Sequence, residues 1–358
     1  MKKIGIITIY DLTNFGNRLQ NYALFIYLKG FNVIVYTIGN RKLFINSFFT
    51  KMKTNIGNII KTFRRDKDDL RFLNFVKFEK NIKYYKEILD INSPSFSVLK
   101  YFNYFIVGSD QVWNPNFSRL SNVDLLAFAN SSKKISYAAS FGVNNIDGFI
   151  NDALIENFDS FKAISVREDD GKKIINDMLP SKDVEVLIDP TMLLSADEWD
   201  KVSLKPKILK NDKFIFNYFL GELSVDRRNE IERIAEENNC EIINILDKNS
   251  PFYECGPSEF LWLEKHAFLI CTDSFHSSVF AVLYNRPFII FDREQEGMAK
   301  MNSRLDTLIS KFNLKNRKFE GKITEENLNH DYSEAYKILE IERQKSKDFL
   351  ERALDIKK

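Results

Sequence analysis

The chain has 358 residues, 44% hydrophobic and 28% charged, with a formal net charge of +2. That length exceeds one ordinary hydrophobic core, so two domains are expected. The composition excludes a disordered chain, and the near-neutral charge gives no reason to expect nucleic acid as a partner.

In chain order, Lys3–Tyr10 reads as a buried strand and Asp11–Asn17 as a polar turn. The apolar run is too short and lacks the cleavage site of a signal peptide. Leu19–Lys29 reads as a helix stopped by Gly30, and Asn32–Ile38 as the next strand. This βαβ unit opens a parallel, Rossmann-like sheet. It has no GxGxxG, so a dinucleotide is not supported. Asn17 and Gln20 fall at the first strand–helix turn, where such folds contact sugars or phosphates; capping accounts for them equally well.

Arg41–Lys86 differs in kind, with thirteen Lys or Arg against four Asp or Glu and many interleaved Phe and Tyr. One reading is an interfacial or lipid-carrier-binding helical insert. The other is a set of helices that pack Phe inward and turn Lys to water.

Tyr104–Val107 is a strand running into Gly108-Ser109-Asp110, with Trp113 just beyond. Asp110 is a candidate to orient an acceptor hydroxyl or act as a base, against a plain tight turn. Trp113 would stack on a sugar face or fill the loop core. Ile135–Ala139 is a strand, Phe149–Ser160 a helix, and Ala163–Val166 a short strand that delivers Arg167. Asp169–Leu179 is a helix and Val184–Ile188 a strand ending at Asp189-Pro190. Leu193–Asp212 reads as a linker, after which Phe214–Leu220, Val225–Asn238, Glu241–Leu246 and Glu259–Glu264 restart the strand–helix rhythm.

Ala267–Cys271 is a buried strand, Thr272 to His276 a tight polar turn, Ser277 onward a helix ended by Asn285-Arg286-Pro287, and Phe288–Phe291 a second strand. His276 is one of three His and stands where α/β folds place ligands, before a helix N-terminus that favours anions. A cap or a packed polar residue is the competing account. Thr324–Ile356 is helical and charged. The expected layout is an N-terminal Rossmann-like domain over 1–192 carrying the 41–86 insert, a linker over 193–212, a second such domain over 213–323, and C-terminal helices over 324–358 that pack back. A cleft between the halves would collect the strand-end residues. Cys240, Cys255 and Cys271 are odd in number and widely spaced, against a disulfide framework or a Cys-rich metal site and in keeping with a reducing cytoplasm. No apolar stretch reaches the roughly 20 residues that span a bilayer.

Several motifs occur together and in order: Asn14-Phe15-Gly16-Asn17, Gly108 to Asn114, Tyr137 to Gly142, Ser165 to Glu168, Ile188 to Thr191, and Thr272 to His276 followed by Asn285 to Phe288. In this set the chain resembles the polysaccharide pyruvyl transferase family, over roughly residues 4 to 310. The resemblance implies a GT-B-like fold and transfer of the enolpyruvyl group of phosphoenolpyruvate to two hydroxyls of a sugar, as a cyclic ketal, with no obligatory metal. The acceptor would be a cell-surface glycan or its lipid-linked precursor, and the site cytoplasmic or peripheral at the inner membrane face. His276 would carry a proton step, with Asp110 assisting. Arg167, Ser274, Ser277, Ser278 and a further cation would hold the donor. Asn17, Gln20 and Trp113 would face the acceptor.

One position departs from the pattern. Family members that make ketals often carry Arg two residues before the His, and here it is Ser274. Arg304 is the first candidate to replace that cation, on a helix that Asn302-Ser303 would cap; Arg286 and Arg293 follow. A nucleotide-sugar glycosyltransferase on the same scaffold is the second reading, and a non-catalytic module of a glycan assembly the third.

Overall fold

The computed structural model describes residues 1–39, 66–87, 89, 96–117, 120–293 and 303–356. They form two compact units. One comprises 1–64, 79–193 and 342–358, the other 65–78 and 194–341.

The first unit is built on a parallel sheet of β1 (Lys3–Ile7), β2 (Ile34–Thr37), β3 (Tyr104–Val107) and β4 (Lys134–Ser136), in the order β2-β1-β3-β4. Ile4 lies opposite Val35 on one side and Tyr104 on the other. A second parallel pair, β5 (Ile164–Val166) and β6 (Val184–Val186), continues from β4 through bridges at Ile135–Ala163 and Ala139–Val166. Strands buried on both faces read as unbroken apolar runs, and Phe105, Ile106 and Val107 are fully buried here.

Helix α1 (Phe15–Lys29) starts four residues earlier than its apolar pattern suggests. Asn14 is the cap, accepting the Asn17 N–H at 3.1 Å, so Asn17 and Gln20 belong to the helix. Leu19, Ala23, Leu24 and Leu28 form its buried stripe. Gly30 closes it at φ −62°, a right-handed stop.

Helix α2 (Lys67–Glu79) lies in the described part of the basic segment, residues 66–86; residues 41–65 lie outside the described residues. Its residues up to Phe78 belong to the second unit, not to the N-terminal domain expected from their place in the chain. The reason is a set of bonds to one loop: Arg71 donates to the carbonyls of Ile245 and Tyr253, and Asn74 to that of Glu254. Phe72, Phe75 and Phe78 are buried, as the packing account of this segment requires. Helices α3 (Phe96–Tyr101), α4 (Asp152–Asp159) and α5 (Asp169–Met178) complete this part of the chain.

The expected linker is structured. Ser195 and Glu198 form a capping box on α6 (Ala196–Asp200), and Trp199 is fully buried. The second unit holds β7 (Phe214–Tyr218), β8 (Glu241–Asn244), β9 (Leu269–Thr272) and β10 (Phe288–Ile290) in a parallel sheet of order β10-β9-β7-β8. Around it lie α7 (Val225–Glu237), α8 (Pro257–His266), α9 (Phe275–Leu283), α10 (Ser303–Lys311) and α11 (Glu325–Leu328). In α12 (Ser333–Ala353) the residues from Glu342 onward belong to the first unit, where Phe349 meets Tyr137 and Asp355 pairs with Lys162. Among the described residues no helix is long and apolar enough to cross a membrane.

Candidate active site

In each unit the polar residues gather at the C-terminal ends of the parallel strands, the edge where open α/β sheets hold ligands. The two edges are built differently.

At the first edge, β3 runs into Gly108, whose φ of +114° leaves no room for a side chain: a Cβ would strike the Tyr137 carbonyl. Asp110 follows at φ 65°, nearly buried, and accepts from the Asn17 amide. Gln20 donates to Thr8 Oγ1 at 2.8 Å and accepts from the Ser109 N–H at 3.1 Å. Asp189 accepts from Ser109 Oγ at 2.9 Å. Arg167 lies in the middle, its side chain 1% exposed, 2.8 Å from Asp189, 3.4 Å from Asp110 and 3.9 Å from Glu168. Burial opposes its charge, but the three carboxylates hold the guanidinium above its ordinary range. Glu168 also takes the Ser140 hydroxyl and the Phe141 N–H, each at 2.9 Å. Arg167 is thus the hub of a buried ion cluster.

Trp113 is fully buried, its indole N–H on the Asp124 carbonyl at 3.0 Å and its ring against Phe141, Phe158 and Phe161. Of its two readings, filling the core describes these surroundings; a sugar-stacking role is not supported. A further cluster was not foreseen. Arg18 is fully buried, ion-paired to Glu79 at 3.3 Å, hydrogen-bonded to Tyr84 and the Ile9 carbonyl, and placed over the Tyr10 ring. Its partner Glu79 is 61 residues away, so no local pattern could announce the pair.

At the second edge, β9 ends at Thr272, whose hydroxyl bonds the Tyr218 carbonyl at 2.6 Å. Asp273 grips the loop after β7 through the N–H groups of Leu220 at 2.7 Å and Gly221 at 2.8 Å, and pairs with Arg293 Nε at 2.9 Å. Helix α9 begins at Phe275, so His276 stands in its first turn rather than in a preceding loop. Ser274 is the N-cap residue, and its side chain bonds no helix N–H. The His276 ring meets Phe275 edge-on and is 8% exposed.

The neighbouring serines look inward. Ser278 Oγ donates to the Ser274 carbonyl at 2.9 Å, and Ser277 is fully buried on the side facing α8. There burial pushes the Glu264 carboxyl well above the usual carboxylate range, with the Ser277 hydroxyl opposing it. The signal for Glu264 was in the sequence: it shares the buried face of α8 with Phe260 and Leu261, at helical spacing.

The three candidate cations separate clearly. Arg286 follows the far end of α9, about 15 Å from its first turn at the helical rise; its carbonyl serves Tyr332. This removes it as a partner of His276. Arg304 is half-buried in the first turn of α10, a helix packed on α9; its proposed cap Asn302 lies outside the described residues. Arg293 is the one on the strand-end edge, held against Asp273.

Residues 14–295 match the family described as Polysaccharide pyruvyl transferase. Among solved structures, the UDP-GlcNAc 2-epimerase of Neisseria meningitidis bound to UDP-GlcNAc is similar at 13% identity and a TM-score of 0.50, over 97% of this chain and 94% of that one. At that identity the likeness shows the fold alone, an α/β fold of the GT-B-like class. MurG of Acinetobacter baumannii aligns over 99% of both chains at 9% identity, with a TM-score of 0.41 too low to add to this. No curated protein matches the chain. On a match spanning well over half its length, the chain belongs to the polysaccharide pyruvyl transferase family, a family of transferases in polysaccharide biosynthesis.

Proposed function

We propose that this protein transfers the pyruvyl group of phosphoenolpyruvate to two hydroxyls of one sugar, in a cell-surface polysaccharide or its lipid-linked precursor. The observation that carries this reading, within the family, is His276 in the first turn of a helix that Ser274 leaves uncapped by its side chain. A proton-transferring imidazole and anion-attracting N–H groups then lie at one strand-end edge.

In the reaction, a proton added to C3 of the enol makes C2 an electrophile. A sugar hydroxyl adds to C2 and loses its proton. The C2–O bond to phosphate breaks with its electron pair, and the second hydroxyl closes the ketal. Of the two hydroxyl protons, one accounts for the new methyl hydrogen and the other leaves with phosphate. His276 serves the proton steps. The donor carries two anionic groups and needs cationic or N–H-rich subsites for carboxylate and phosphate. The start of α9 supplies one, and Arg293 takes the place of the arginine absent at Ser274. The ion pair between Asp110 and Arg167 favours an orienting role for Asp110, because a paired carboxylate is a weaker base.

Ser274 also motivates a second reading, in which the same scaffold takes a nucleotide sugar. Thermal stabilisation separates the two, since a ligand of the folded state raises the melting temperature. Phosphoenolpyruvate should stabilise the protein and UDP-sugars should not; the reverse pattern would replace the first reading by the second.

A further inference from the structure

At the opposite end of α1 from Asn17, an open cavity of about 660 Å³ lies on the first unit. Its walls include Phe25, Val33, Val35 and Ile82, and three lysines, Lys29, Lys80 and Lys83, with no carboxylate among its lining residues. All three lysines are exposed, and among the described residues none has an ion pair. Lys29 and Lys80 each stand at a helix C-terminus, where a cation is favoured for its own sake. That accounts for them singly. It does not account for Lys83, which stands over the Tyr36 ring at 4.7 Å and brings a third like charge to the same opening. Phe25, Val33, Val35 and Ile82 are at most 7% exposed, so what the opening presents is three cations and no carboxylate, which complements the anionic headgroups of a bilayer surface.

We propose that this cavity seats the headgroup of an anionic phospholipid of a bilayer surface, its phosphate among Lys29, Lys80 and Lys83. The site is separate from the strand-end edges and needs no turnover of phosphoenolpyruvate, so its failure and that of the proposed reaction are distinguishable. It also gives the basic character of the 41–86 segment a use beyond solvation, through Lys80 and Lys83.

The test is co-sedimentation of the full chain with phosphatidylcholine vesicles, with and without phosphatidylglycerol. Binding should require phosphatidylglycerol and fall with salt. Each basic residue near an anionic surface is worth about fivefold in binding, so the triple variant Lys29→Gln, Lys80→Gln, Lys83→Gln should bind on the order of 100-fold more weakly. A control triple elsewhere on the surface, Lys172→Gln, Lys173→Gln, Lys207→Gln, should bind within about threefold of the wild type. Should the first triple fold poorly, Lys83→Glu alone is expected to lose at least about fivefold. Undiminished binding by the cavity variants, or an equal loss in the control, would overturn the proposal. So would displacement from vesicles by micromolar glycerol phosphate, which would mark a plain phosphate site.

Discussion

At the strand ends of the first sheet, one guanidinium meets three carboxylates within 4 Å, and Arg167 and Glu168 are all but inaccessible. At the strand ends of the second, His276 opens a helix whose cap residue leaves its N–H groups to other partners, and one arginine, Arg293, is tied to Asp273 beside it. Both edges are rich in polar residues, yet charge serves opposite purposes. In the first it is spent inside the protein, fixing the loops that carry Asp110 and Asp189. In the second it is arranged around the start of a helix, where an incoming anion gains most. A residue's place at a strand end therefore does not by itself define its role; what its charge already contacts does.

The largest effect is expected at His276. His276→Ala should lower phosphate release from phosphoenolpyruvate by about 10²–10⁴-fold while leaving the melting curve nearly unchanged. A variant that keeps its rate would remove the second edge from the chemistry. Next comes Arg167→Ala, which strands buried carboxylates and should cost about 3–5 kcal/mol of stability by urea unfolding. If that variant stays as stable as the wild type but no longer binds phosphoenolpyruvate, Arg167 is a donor ligand and the contrast between the edges disappears.

Arg293→Ala should raise the KM for phosphoenolpyruvate about tenfold, the loss of one charge-assisted contact, while Arg304→Ala changes it less than about twofold. The reverse ranking would favour the α10 arginine. At the buried acid beside Ser277 the expected effect is on stability rather than turnover. The folded-state pKa of Glu264 is raised, so between its unfolded value and its folded value the native state holds a proton that the unfolded chain lacks. Its contribution is complete below the unfolded value and declines as pH rises through the folded one, by up to about 1.4 kcal/mol per pH unit. Glu264→Gln should flatten that decline in melts between pH 5 and 8. A variant that shows the same slope as the wild type would assign the pH dependence to another group.

Much of the fold was legible in the sequence because it rests on local periodicity. The strands β1, β3, β7 and β9 are short apolar runs ended by polar turns, and their observed bounds lie within a few residues of those runs. Boundaries were missed where a side chain makes a local bond that apolar pattern does not register. Asn14 starts α1 early through its bond to the Asn17 N–H; α9 begins at Phe275 instead of Ser277 although the Ser274 side chain makes no such bond. The placement of α2 with the second unit was not legible, since Arg71 and Asn74 bind backbone carbonyls 174 to 182 residues away. Within the candidate site, the motifs marked Asp110, Arg167 and His276 as a group. They could not say that Arg167 already has three acidic neighbours, because Asp110 and Asp189 reach it only through the sheet. Nor could they separate Arg286, which follows the far end of α9, from Arg293, which pairs with Asp273 before its start.

The central claim, that the helix carrying His276 receives phosphoenolpyruvate, is tested most directly by its binding to the wild type and to Arg293→Ala, measured calorimetrically without an acceptor. The account predicts wild-type binding, an affinity about tenfold weaker in Arg293→Ala, and no competition by UDP-GlcNAc. Binding of UDP-GlcNAc with none of phosphoenolpyruvate would contradict it.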